Sequence, residues 1–203
     1  MTSDSGVSFL PMKRYTAAIA TALLAATLAD PATAVAASNS ATQSIAVDPA
    51  TQIEMRVNAN CVLAQGNCTF DTQANLLTPD GPIGFPGDLW ARQTITVRST
   101  DRNLWQETQF SAPSGNPPET KGANHDNVLS KAYKSINNVE ISVTYFGGGP
   151  LERFRVDGVS VPTDWSTGRP GTGAGFIACS QIQVVYGGVN LTTPTACAQT
   201  TFT

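Results

Sequence analysis

The chain has 203 residues and a formal net charge of −3, from 12 Lys and Arg against 15 Asp and Glu. That length suits one domain with a real hydrophobic core, in which disulfides supplement packing and do not replace it. A mildly acidic chain with scattered Lys and Arg argues against nucleic-acid and anionic-membrane partners.

In chain order, Lys13 and Arg14 come before an uncharged, Ala- and Leu-rich run over 15–29, and Asp30-Pro31 end it. Ala34-Val35-Ala36 then fits a signal-peptidase cleavage signal, with Ala32-Thr33-Ala34 as a second choice. The apolar run is short of the ~20 residues a membrane span needs. An uncleaved anchor is the competing reading. The polar stretch 1–11, which carries Asp4, suits no export signal, so translation from Met12 is expected. The compact, Ala/Thr/Pro-rich leader resembles those of exported proteins of actinobacteria, of the mycobacterial type. The resemblance covers the leader only and carries no residue role. The expected organisation is an N-terminal extension and signal peptide over 1–36, a flexible lead-in over 37–51, and a disulfide-stapled β domain over 52–203. The expected location is extracytoplasmic, secreted or in the cell envelope.

Four cysteines allow three pairings. Cys61 and Cys68 enclose VLAQGN, whose Gln65-Gly66-Asn67 reads as a turn; Cys179 and Cys197 enclose the diglycine Gly187-Gly188. Local pairing, Cys61–Cys68 and Cys179–Cys197, is the simplest arrangement. In the chain-entropy model the longer loop contributes ~3 kcal/mol and the shorter one less. A zinc site wants paired C-x₂₋₄-C knuckles, and neither spacing matches. No metal and no cofactor is expected.

Alternation of apolar and polar residues marks half-buried strands over 53–58, 89–99 and 139–146. In the last, Val139, Ile141, Val143 and Tyr145 oppose Glu140, Ser142 and Thr144. Weaker signals suggest strands over 69–77, 104–110 (as a return arm after Asp101-Arg102-Asn103), 176–186 and 189–193. Asp157-Gly158 reads as the turn of a hairpin over 154–161. A short helix is expected from Asp126 or Asn127 through Asn137, with Leu129, Ala132, Tyr133 and Ile136 at helical spacing. Pro- and Gly-rich loops fill 78–88 and 162–175, and 111–127 reads as a long polar loop. The expected fold is all-β: a single immunoglobulin-like β-sandwich with one short helix, and a barrel as second choice.

Catalytic signatures are weak. His125, beside Asp126, is the one histidine, and no G-x-S-x-G elbow accompanies it. Gly171-Thr172-Gly173-Ala174-Gly175 leads into a strand, not a helix, and so lacks the setting of a phosphate cradle. Asp80, Asp88, Glu140 and Glu152 are scattered. Among Trp90, Trp105, Trp165, Tyr145 and Phe146, all but Trp165 sit on or beside expected strands and read as core. Trp165, in a Pro/Gly loop near Arg169, reads as a ligand contact. The sequence therefore suggests a non-enzymatic binding domain whose loops take a protein, an envelope glycan or a small ligand. The alternatives are a small secreted hydrolase with a carboxylate or Ser/His site, and a barrel carrying an apolar ligand.

Overall fold

A computed structural model describes residues 38–111 and 128–203. Twelve strands are present among them: β1 Ser38–Ala46, β2 Gln52–Val62, β3 Asn67–Thr78, β4 Gly81–Ile83, β5 Trp90–Ser99, β6 Leu104–Phe110, β7 Val128–Lys134, β8 Asn138–Phe146, β9 Arg155–Asp164, β10 Phe176–Tyr186, β11 Val189–Thr192 and β12 Ala196–Thr200. They form two antiparallel sheets packed face to face. One runs β1-β2-β3-β9-β6, with β4 on β3; the other runs β11-β10-β5-β8-β7, with β12 on β10. The fold is a β-sandwich and not a closed barrel.

Period-2 patterning explains the core. Ile53, Met55 and Val57 of β2 face Ile95 and Val97 of β5 and Val139, Ile141 and Val143 of β8 within one buried cluster. At one end an aromatic series fills the interior: Phe85 meets Phe154 edge-on at 4.7 Å, and Phe154 meets Tyr145 at 4.9 Å. Such contacts add to the burial of large apolar area. Both disulfides are local and cross-strand. Cys61–Cys68 joins β2 to β3, and Cys179–Cys197 joins β10 to β12. They fit an oxidising, extracytoplasmic environment.

Four expectations need correction. No helix follows residue 127: Val128–Lys134 is strand β7, paired along its length with β8. Its helical spacing is overridden by the backbone partners that β8 offers. Residues 112–127, with His125 and Asp126, lie outside the described residues. The lead-in is not a loose segment either, because β1 pairs with β2 from Ser38↔Asn60 to Ala46↔Gln52. Ala41 and Ile45 pack on the core from this edge strand, whose other residues, Ala46 apart, are polar. The third correction concerns β6, which is no return arm of β5. The turn at 101–103 carries the chain across to the other sheet, where β6 pairs with β9.

Asp157-Gly158, finally, is no turn. Both residues lie inside β9, opposite Asp71 and Phe70 of β3. Gly158 is there because neighbours crowd it: a Cβ would come within 2.5 Å of both Gln109 O and the Phe70 ring. A glycine inside a strand commonly marks such close approach.

The aromatics divide by strand parity. Tyr145 is fully buried, whereas its neighbour Phe146 is 41% exposed. Phe146 stands opposite Trp90, and Tyr145 opposite Ala91. Trp90 and Phe146 thus share the outer face, and of the strand aromatics expected in the core only Tyr145 is fully buried.

Candidate functional site

β9 ends at Asp164, whose carboxylate organises the turn that follows. Asp164 Oδ1 accepts the backbone N–H groups of Ser166 at 2.9 Å and Thr167 at 2.8 Å, and their hydroxyls at 2.6 and 3.1 Å. These bonds, the Ser166 hydroxyl foremost, hold the carboxyl below its ordinary range. Gly168 completes the turn at φ +65°, a conformation that favours glycine. Trp165 is pinned from the other side, its backbone N–H donating to Asn103 O at 3.2 Å.

Trp165 therefore projects from an ordered turn, and it is 57% exposed. Its ring lies over that of Trp105, with centroids 5.6 Å apart and planes tilted by 33°. Trp105 belongs to β6, the edge strand, on which Leu104 and Gln106 are buried while Trp105, Glu107 and Gln109 face out. Beside Trp105 lies a surface groove of about 410 Å³, lined on β6 by Trp105, Glu107, Thr108 and Gln109. Val159 and Val161 of β9 form its apolar wall, and Lys134, from the edge strand of the other sheet, borders it. Beneath the groove, Ser160 Oγ lies 2.8 Å from Thr108 Oγ1 and donates to Gln106 Oε1 at 2.7 Å.

Among the described residues, the groove lining carries one carboxylate, Glu107, where glycoside hydrolysis ordinarily calls for two. The carboxylates singled out in the sequence lie elsewhere. Asp88 accepts the Gly187 N–H at 3.0 Å and so ties down a hairpin. Glu140 lines a smaller depression of about 300 Å³ on the other sheet, with Arg92, Thr94, Ser142 and Tyr133. The Gly171–Gly175 segment is a structural turn, since Thr100 and Gly175 exchange hydrogen bonds at 2.8 and 2.9 Å. Among the described residues, no group of three or more His, Cys, Asp or Glu is placed to hold a metal ion. No described helix is long and apolar enough to cross a membrane.

Of the two residues expected to contact ligand, neither lines the groove, and Trp165 meets it only through its ring contact with Trp105. Arg169 lies in the same turn, where its carbonyl accepts the Asp164 N–H at 2.9 Å. The sequence reading missed the partners of Trp165. Trp105, Glu107 and Gln109 alternate on one strand face, a legible signal of a shared surface. Val159 and Val161 were hidden by the misread Asp157-Gly158 turn, which put them on the return arm of a hairpin instead of beside β6. No protein-family model matches this chain, and none of the curated proteins is detectably similar to it.

Proposed function

We propose that this protein is a secreted, non-enzymatic β-sandwich that binds a glycan of the cell envelope in the groove beside Trp105 and Trp165. The signal-peptide pattern and the two disulfides support export. The observation that carries the binding reading is the Trp105–Trp165 pair, solvent-facing and held by a hydrogen-bonded turn. An exposed indole stacked on a half-buried one beside a groove with Glu, Gln, Thr and Lys side chains matches a sugar, whose C–H face is apolar and whose rim is hydroxylated. A rigid aromatic anchor also loses little side-chain entropy on binding.

The test is binding of the secreted protein to immobilised polysaccharides and to an oligosaccharide panel. Trp165→Ala and Trp105→Ala should each weaken the captured glycan at least tenfold, about 1.4 kcal/mol. Retention of full affinity by both variants would overturn the assignment of the site.

A further inference from the structure

We infer that one end of the sandwich docks on an anionic lipid bilayer, inserting Leu63, Ile136 and Trp165 and setting Arg102 and Arg169 against the headgroups. This goes beyond the glycan reading and does not depend on it.

The fold gathers three apolar tips at one end. Leu63, in the short turn Leu63–Gln65 between β2 and β3, is 54% exposed, and Ile136, on the turn between β7 and β8, is 74% exposed. Neither belongs to the buried core or to the groove. Contacts between turns place both at the Trp165 end. A Cβ on Gly66 would come within 3.0 Å of Pro170, so the Leu63 turn lies against the segment that follows Trp165. Trp165 is itself tied to Asn103 of the β5–β6 turn. The Ile136 turn closes through the Ser135 N–H on Asn138 O at 2.9 Å, and Asn138 stands opposite Arg98, where β5 runs into that same β5–β6 turn. Apolar tips on separate turns suit a lipid interface, where each side chain sinks among acyl chains while the polar backbone between them stays at the headgroups. An indole fits that depth, with its apolar body and polar N–H.

Charge names the surface. The turns and strand ends here carry Arg98, Arg102, Lys134 and Arg169 against Asp101 and Asp164. All four cations are exposed, and none pairs with a described carboxylate. The two carboxylates are engaged by their own turns: Asp101 Oδ1 accepts the Asn103 N–H at 2.9 Å, as Asp164 Oδ1 accepts those of Ser166 and Thr167. At the opposite end the described turns carry Asp48, Asp80, Asp88 and Glu152 against Arg153. The net charge of −3 thus averages over a basic end and an acidic one. An anionic surface attracts the first and repels the second, which turns the three tips toward the bilayer. Ile83 and Phe146 are also exposed, but they lie toward the acidic end and face away.

The experiment is co-sedimentation of the secreted, oxidised protein with vesicles of phosphatidylcholine alone and of equimolar phosphatidylcholine and phosphatidylglycerol. The parent should bind the anionic vesicles about tenfold more tightly than the neutral ones, or better, and added salt should release it. Leu63→Ser and Ile136→Ser should each weaken that binding about tenfold. Arg102→Gln and Arg169→Gln should each weaken it on the order of fivefold. Ile83→Ser, toward the acidic end, should change nothing. These positions are exposed, so the variants should melt near the parent. Should a tip variant not fold, the lipid comparison and the arginine variants still decide the matter. Trp165 is shared with the groove and is left unchanged. Leu63 and Ile136 lie off the groove, so glycan capture by their variants should equal the parent's, and the glycan reading stands or falls separately on Trp105→Ala and Trp165→Ala. Failure to sediment with either vesicle, equal binding to both, or full binding by folded Leu63→Ser and Ile136→Ser would each overturn the inference.

Discussion

Tyr145 donates its phenolic proton to Gln93 Oε1 at 2.9 Å, with both side chains fully buried between the sheets. Gln93 spends its two N–H donors on Thr72 Oγ1 at 2.8 Å and Ser180 Oγ at 3.3 Å. Thr72 passes its proton to Val156 O at 3.0 Å, and Ser180 passes its own to Met55 Sδ at 3.5 Å. Because Val156 O can only accept, Thr72 must accept from Gln93, which fixes the orientation of the amide. Every member is satisfied, and the chain of bonds crosses from β5, β8 and β10 of one sheet to β2, β3 and β9 of the other. Burial also drives the Tyr145 phenol well above its ordinary range, so it stays a donor.

Breaking that network should cost more than one average hydrogen bond. Tyr145→Phe leaves Gln93 Oε1 buried without a partner, and the expected loss is about 1–3 kcal/mol. Gln93→Ala adds a cavity, leaves the Tyr145 hydroxyl without its acceptor and takes a donor from Thr72 and from Ser180, so it should cost more. Urea titration should show a lower midpoint with an unchanged slope. A Tyr145→Phe protein as stable as the parent would mean the network carries no weight.

The disulfides should differ in reactivity. Cys61 and Cys68 are wholly buried, whereas Cys179 is half-buried and Cys197 exposed on the outer face. Thiol attack requires access. Mild reductant followed by alkylation and mass mapping should label Cys179 and Cys197 first. Equal labelling of all four would indicate global unfolding instead.

Gly158 should tolerate no side chain. Gly158→Ala forces Gln109 or Phe70 to move and should cost about 1–3 kcal/mol. Gly173→Ala, with nothing within 4 Å of the new methyl, should be near neutral. Thermal melts of the two variants give the comparison directly. The pair also tests β9 as one continuous strand, since at an Asp-Gly hairpin turn the crowding by Phe70 and Gln109 would be absent.

The Trp165 turn should loosen only in strong acid. Asp164's folded pKa lies below the unfolded value near ~3.9. Its contribution is therefore fully present above that value and is lost as pH falls through the depressed folded one. Carboxyl NMR should place Asp164 below an unperturbed aspartate, with the Trp165 signals shifting over the same acidic window. Asp164→Ala should release the turn at neutral pH.

How much was legible follows from which faces are buried. β2, β5 and β8 each bury one face against the other sheet, so apolar residues recur with period 2 and the strands read directly. β1 and β7 are edge strands. With few buried positions, β1 reads as a polar linker. Leu129, Ala132 and Tyr133 of β7 fall at helical spacing although backbone pairing with β8 sets their state. Gly158 shows the same limit: its crowding comes from Phe70 and Gln109, far away in sequence. The cysteine pairing was legible because both pairs are local across hairpins. Trp165 was legible as an exposed loop aromatic. Its stacking partner was not, since nothing in the local sequence tells that β6 leaves the sheet of β5 to lie beside β9.

The most direct test of the binding account is an ¹⁵N spectrum of the three tryptophan indoles during titration with neutral glucan, mannan and galactan fragments. Trp90 lies on the outer face of the other sheet and serves as the internal reference. The account predicts that the Trp105 and Trp165 signals shift together and saturably while Trp90 stays still. Saturable binding that moves Trp90 alone, or none of the three, would contradict it.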